Sequence, residues 1–335
     1  MERHPAWYGS VMGTGALALA LSVQSVTWGA DWLRWGSQVF LVVASVLAVV
    51  LLPAYAARLR SRAELDAELA DPAHGAMLAT MPAGLLVLAT AWGRVGWQPA
   101  GLWVDGALLV AGTIIAIALG LAWSVAMLRA TNGLEGVNGG WLIPPVMNLL
   151  VPLALAPLVP HLPQWDTLLV LAGFAFYGIG VILFLVMLPL LVARLALRDP
   201  LPPPMAPSLW IPLAPAGVLG LSLLQLLRAA VDAGVPGFTS AVPGLVVSAM
   251  GLGFGAWWFL FAWLELRRVQ RTGGPPVHPG WWGFVFPLAA MTLSVATVGL
   301  VTGVWLAQAV GAVATVILLG IWCLVALRTA GMVRA

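Results

Sequence analysis

Long apolar runs recur ten times along this chain, at approximately 7–27, 35–57, 75–93, 103–128, 140–160, 167–193, 206–228, 242–265, 279–302 and 306–328. A hydrocarbon core about 30 Å thick takes about 20 helical residues to cross. Inside lipid, only helices and closed barrels satisfy every backbone amide and carbonyl. Ten runs of that length therefore specify an all-α integral membrane protein whose first partner is the lipid bilayer. Composition agrees: 8% of the 335 residues are charged and 61% are hydrophobic, whereas a soluble domain carries about 25% charged residues. The longest connection runs from Arg58 to His74, and its polar part, Ser61 to Asp71, reads as a short interfacial helix or loop. That leaves no room for a soluble domain, so residues 1–335 are expected to form a single transmembrane domain.

The arginines orient it. With ten spans, Arg3, Arg58, Arg60, Arg62, Arg129, Arg194, Arg198, Arg267, Arg268, Arg271, Arg328 and Arg334 fall on the side holding both termini, and only Arg34, Arg94 and Arg228 fall on the other. Cytoplasmic connections carry the excess of basic residues, so a multi-pass protein of the inner (cytoplasmic) cell membrane with both termini inside is expected. No leader is expected, because the first run starts near Trp7 without a basic stretch or a convincing cleavage site. The basic residues form no arm or stripe, so nucleic acid is not an expected partner. The single cysteine, Cys323, lies in an apolar run and offers no disulfide framework.

Sorting the prolines by span reveals a repeat. The odd spans carry them in their interiors: Pro82 in the third, Pro144, Pro145 and Pro152 in the fifth, Pro212 and Pro215 in the seventh, Pro287 in the ninth. The first span carries Gly9, Gly13 and Gly15 instead, and in the even spans Pro53 and Pro189 lie close to one end. Equivalent points recur about every 65 to 73 residues, which divides the chain into five helical hairpins at approximately 7–57, 75–128, 140–193, 206–265 and 279–328. Proline removes an amide and clashes with the preceding turn, freeing carbonyls that lipid cannot satisfy. The broken helices are therefore expected inside, around a central pore, with the regular ones outside.

Candidate chemistry at membrane depth is sparse. No ionisable residue falls near the middle of a span; Asp105 and Glu265 lie near span ends. Proton-coupled carriers and voltage sensors usually carry such groups, so passive conduction is favoured. His4, His74, His161 and His278 all fall in connections, too far apart in sequence to suggest a metal site, and neither metal nor cofactor is expected. A pore without fixed acidic groups, offering helix dipoles and the hydroxyls of Thr14, Thr80, Thr292 and Ser294, suits anions, although a back-bond to its own helix is the commoner use of such a hydroxyl. Asn148 either faces the pore or bridges to a neighbouring helix. Arg34, Arg94 and Arg228 either draw anions to an outer mouth or snorkel to headgroups, and Asp31, Asp105, Asp166 and Asp232 share their side. Tryptophans at or near span ends, among them Trp28, Trp103, Trp141 and Trp165, read as an aromatic belt. Phe286, immediately before Pro287, either plugs a narrow pore or packs toward lipid.

Several segments carry a family likeness. His4 to Leu21, HPAWYGSVMGTGALALAL, resembles the first-helix signature of the tellurite-resistance/dicarboxylate transporter family, which includes plant guard-cell slow anion channels and yeast malate and sulfite carriers. Asp71 to Ala83, DPAHGAMLATMPA, Ile143 to Pro152, IPPVMNLLVP, and Trp281 to Leu288, WWGFVFPL, resemble its third, fifth and ninth helices, and APAGV at Ala214 to Val218 its seventh. The resemblance implies ten helices with five-fold pseudosymmetry around one pore, and a homotrimer of independent pores. It implies that Phe286 occludes the pore, that Gly13 keeps the path open, and that Pro82, Pro144, Pro215 and Pro287 break the inner helices. Pro145 and Met147 stand where the family often has valine and glycine, which would narrow the path at the fifth helix.

The leading expectation is a channel or channel-like uniporter for small anions such as chloride, nitrate, sulfite or tellurite. The alternative is a secondary transporter for C4-dicarboxylates such as malate, or for sulfite. An intramembrane enzyme needs a nucleophile, an acid/base pair or metal ligands at depth. The spans supply only Cys323 and scattered hydroxyls, so no catalytic residue is expected.

Overall fold

The computed structural model describes residues 4–57, 61–129 and 133–334, without the side chains of 333 and 334. Arg3, Arg58, Arg60 and the Arg334 side chain, used in the basic count, lie outside the described residues. The α-helices are α1 (Gly9–Trp28), α2 (Asp31–Ala56), α3 (Arg62–Ala70), α4 (Thr80–Val95), α5 (Ala100–Arg129), α6 (Ile143–Leu155), α7 (Asp166–Leu197), α8 (Leu213–Asp232), α9 (Val242–Gln270), α10 (Trp282–Thr302) and α11 (Trp305–Arg334). Among the described residues, ten helical segments are long and apolar enough to cross a membrane, and α3 is the short polar helix expected in the longest connection.

The ten segments alternate in construction. Each odd one opens with a 3-10 turn, at Pro5–Tyr8, Gly75–Ala79, Gly139–Leu142, Pro203–Trp210 and Pro279–Trp281, and continues as α1, α4, α6, α8 and α10. The prolines act at these junctions. Pro82, Pro144, Pro145 and Pro215 lie in the first turn of their α-helices, where an amide has no intrahelical partner to lose. The break expected inside these spans is thus a change from 3-10 to α geometry rather than a bend in a continuous α-helix. Pro152 and Pro287 do lie inside α6 and α10.

Outer helices satisfy carbonyls that the prolines leave open. Pro82 cannot bond back to Leu78, and the Leu78 carbonyl accepts instead from the Tyr55 hydroxyl of α2. Pro212 cannot close the 3-10 bond to Leu209, whose carbonyl accepts from the Trp258 indole of α9 at 2.8 Å. Both are cross-helix answers to a demand that lipid cannot meet.

Burial separates two layers. Between 67% and 100% of the apolar window of each odd segment is buried, against 22% to 28% for the even ones. α1 packs on α4, α4 on α6, α6 on α8, α8 on α10, and α10 back on α1, so the inner helices close a circuit, and each also packs on the even helix that follows it. Lipid supplies no hydrophobic drive between helices, and close approach at small residues takes its place. A Cβ at Gly220 of α8 would collide with the Ser248 backbone of α9, and one at Gly244 of α9 with the Leu224 backbone of α8. α1 and α10 end at Gly29 and Gly303, both left-handed, with φ of 62° and 69°, the usual helix stop.

Exposed Trp28, Trp103 and Trp165 fit an aromatic belt. Trp141 does not: it is buried, and its indole donates to the Pro72 carbonyl at 2.9 Å.

Candidate functional site

The inner circuit holds a series of cavities. We call proximal the end where the odd segments begin and which, after ten crossings, also holds the end of the chain. A distal cavity of about 440 Å³ is lined by residues of α1, α4, α8 and α10 and of the segment containing α6. A narrow cavity of about 50 Å³ lies nearer the proximal end and is again reached by all five odd segments, through Met12, Thr80, Val146, Ala214 and Phe286 among others. A proximal cavity of about 250 Å³ shares Met77, Ile211 and Gly280 with the narrow one and so lies next to it. No described residue lines both the narrow and the distal cavities.

Phe286 and Pro287 are the deepest residues that α10 gives to the narrow cavity. The Phe286 side chain is 6% exposed. Its surroundings there are apolar, and the one hydroxyl, Thr80, is spent on the carbonyls of Pro5 at 2.9 Å and Met77 at 2.7 Å.

Other expected site residues are placed differently. Gly13 faces α10: a Cβ there would lie 2.7 Å from Val285 Cγ1. It lines none of the three cavities, whereas Gly9 and Met12 line the narrow one. Asn148 lines none of these three cavities, and its amide donates to the Pro144 carbonyl of its own helix at 2.9 Å. Pro82, Pro144 and Pro215 shape the backbone and do not line these cavities, whereas Pro287 does. Thr14 Oγ1 accepts from the Trp322 indole of α11 at 2.9 Å, away from the interior. Thr297, which sequence reasoning missed, lines the distal cavity with a buried hydroxyl that has no protein partner.

Charge gathers at the distal end. Arg94 and Arg228 line the distal cavity together with Asp232 and His161, and an Arg94 guanidinium nitrogen donates to Gln225 Oε1 at 3.1 Å. Arg34 is not part of the lining. Asp105, expected near a span end, is fully buried near the start of α5, with neither carboxylate oxygen partnered, so a span does bury an ionisable group at its end. Its carboxylate stands directly behind Gly93, where a Cβ would collide with it. Arg194, 5% exposed in the last turn of α7, is a second such group, bonded to the carbonyls of Glu135 and Asp199 at 3.3 and 2.6 Å.

The histidines are the largest departure from the sequence reading. Three of the four converge on the proximal cavity: the His4 ring lies 5.3 Å from that of His74 and 6.2 Å from that of His278, centroid to centroid. Two of them start helical turns. His4 Nδ1 accepts the Ala6 amide at 3.2 Å, and His278 Nδ1 accepts the Gly280 amide at 3.1 Å. The signal was present in the sequence, since His4 to Gly9 (HPAWYG) and His278 to Gly283 (HPGWWG) repeat one pattern at the heads of the first and ninth spans. Burial pushes His278 below the ordinary histidine value; the bond from its Nε2 to the Pro204 carbonyl opposes that, and the charge of His74 adds to it. Burial pushes the Asp71 carboxyl up, but hydrogen bonds from the His74 ring and from the Ala73 and His74 amides outweigh it and hold the carboxyl below its usual range. Among the described residues, no group of three or more His, Cys, Asp or Glu is arranged to hold a metal ion.

The family model described as voltage-dependent anion channel, SLAC1, matches residues 2–330. The chain belongs to the voltage-dependent anion channel family. It is similar to an uncharacterized transporter of Methanocaldococcus jannaschii, with 30% identity over 293 residues that cover 87% of this chain and 82% of the relative. It is similar also to a sulfite efflux pump of Trichophyton rubrum, with 28% identity over 321 residues that cover 88% and 81%. Membership of the SLAC1 family makes this a multi-pass membrane protein of anion transport and not an enzyme, in agreement with the likeness read from its helix motifs.

Proposed function

We propose that the inner circuit walls an anion-conducting pore, and that the protein is a channel or channel-like uniporter for small anions such as chloride, nitrate, sulfite or tellurite. One observation carries the reading: all five odd segments reach both a distal cavity of about 440 Å³ and a narrow one of about 50 Å³ that holds Phe286. In this reading Phe286 is the gate, its ring closing the apolar stretch and a rotamer change opening it. The chain is one transmembrane domain of five hairpins, with the broken helix of each facing the pore. The arginine asymmetry puts the proximal end and both termini in the cytoplasm, in the cytoplasmic membrane. The apolar outer faces of the even helices suit lipid and, following the family resemblance, a homotrimer of separate pores.

Arg94 and Arg228 at the distal mouth raise the local anion concentration, which Asp232 partly offsets. No charged side chain lines the narrow cavity, so selectivity there rests on radius, backbone dipoles and dehydration. The second reading, a secondary transporter for sulfite or C4-dicarboxylates, is supported by the similarity to a sulfite efflux pump. Reversal potentials in liposomes, with chloride replaced in turn by nitrate, sulfite and malate, separate the two. A channel gives currents that follow each anion gradient without saturating at low concentration. Flux that saturates and requires a pH gradient, with no channel current, overturns it in favour of the carrier.

A further inference from the structure

One groove lies outside the inner circuit. At the proximal end α3 packs against the last turns of α5, and a groove of about 600 Å³ runs between the two helices. Ser61 caps α3, its hydroxyl accepting the Glu64 amide at 3.3 Å, and so fixes Arg62 in the first turn.

The two walls of the groove differ in chemistry. The α5 wall is apolar: Leu121 and Val125 are 64% and 43% exposed on an outer helix. Leu121 precedes Arg129 by eight residues, about 12 Å along the helix, so this wall reaches from the membrane surface into the hydrocarbon. The rim is charged. Arg62 from α3 and Arg129 from the end of α5 line the groove together with Asp66, two guanidinium groups against one carboxylate. Arg62 Nε lies 4.0 Å from Asp66 Oδ2, with both side chains largely exposed, and a pair of that kind is weak. Arg129 belongs to none of the ion pairs among the described residues. Glu64 and Glu68 of α3 do not line the groove.

An anionic phospholipid satisfies both walls at once. Guanidinium groups at headgroup level bond phosphate oxygens, while the acyl chains cover Leu121 and Val125. A soluble anion leaves the apolar wall bare, and a second copy of this chain has to desolvate two arginines to cover it. We propose that the groove between α3 and α5 is a binding site for one anionic phospholipid, its phosphate held by Arg62 and Arg129. The site adjoins the inner circuit. Leu69 lines the groove, and a Cβ at Gly75 would lie 2.4 Å from the Leu69 carbonyl, so the end of α3 sits directly on the 3-10 turn that leads into α4. The bound lipid holds α3 in that position whether the protein works as a channel or as a carrier.

Native mass spectrometry of the detergent-solubilised protein, titrated with phosphatidylglycerol, phosphatidylethanolamine or phosphatidylcholine, tests the site. One phosphatidylglycerol per chain is expected to bind several-fold tighter than either of the other lipids, in every oligomeric state present. Arg62→Gln and Arg129→Gln should each weaken it about fivefold, and Asp66→Asn, which removes the competing carboxylate, should tighten it. All three side chains are exposed, so the variants are expected to keep the parent Tm. Glycerol 1-phosphate, which has the headgroup charge without the chains, should not compete at the same concentration. Equal binding of the three lipids, a preference for phosphatidylethanolamine, or affinity unchanged in both arginine variants overturns the proposal. Competition by glycerol 1-phosphate as strong as by lipid makes the rim a site for soluble phosphate instead. Lipid bound to the monomer and absent from the oligomer gives the groove to a second copy of the chain.

Discussion

At the scale of single residues, the side chains that matter are those whose surroundings leave them one role. Gly13 has space for a hydrogen only, because Val285 of α10 is already against it. Gly13→Ala is therefore expected to cost about 1–3 kcal/mol by overpacking, seen as a lower Tm in detergent. Val285→Ala, which removes the obstructing Cγ1, should recover most of the loss. If Gly13→Ala reduced transport with no change in Tm, and Val285→Ala did nothing, Gly13 would belong to the path and not to the helix contact. His278 makes a separate statement about pH. Its folded value lies below its ordinary value of about 6.5, so the unfolded chain binds the proton first. The stability this contributes is present above that ordinary value and is lost as pH falls through it toward the folded one. Tm should fall between pH 8 and pH 5.5, and less steeply in His278→Gln.

At the scale of helices, each proline-broken inner segment depends on its outer neighbours. Tyr55→Phe removes only the oxygen that bonds the Leu78 carbonyl and leaves that carbonyl buried without its partner. The expected cost is about 1–3 kcal/mol, again read as Tm; an unchanged Tm would mean that the carbonyl finds another donor. The ten segments were legible in the sequence because apolar length alone decides them. The prolines also marked the inner helices correctly as a class, since Pro82, Pro144, Pro215 and Pro287 all lie in segments that the fold buries. Their local effect was not legible. Whether a proline bends an α-helix or sits in its first turn depends on where the preceding 3-10 turn ends, and that is set by the packing of five such turns together. The bonds of Asn148 and Trp141 were not legible for a related reason: each has a nearby backbone carbonyl, at Pro144 and Pro72, that pattern alone does not reveal.

At the scale of the whole molecule, function depends on residues that are distant in the chain. His4, His74 and His278 become neighbours only because the first, second and fifth inner segments all start at one end of a closed circuit. Asp105 is buried for a similar reason, since helix register decides whether a residue near a span end faces lipid headgroups or Gly93. The sequence singles out Phe286 only by its position before Pro287; the structure adds that it lines the narrow cavity among apolar side chains. The proposed homotrimer would give a threefold mass in native mass spectrometry from mild detergent; a monomer would remove the outer helices' role in assembly. The pore itself is tested most directly by single-channel recording of Phe286→Ala beside the parent protein in planar bilayers with a chloride gradient. Removal of the ring should raise chloride conductance by an order of magnitude or more, with a reversal potential near that of chloride. A well-folded Phe286→Ala protein with conductance no different from the parent would contradict the account.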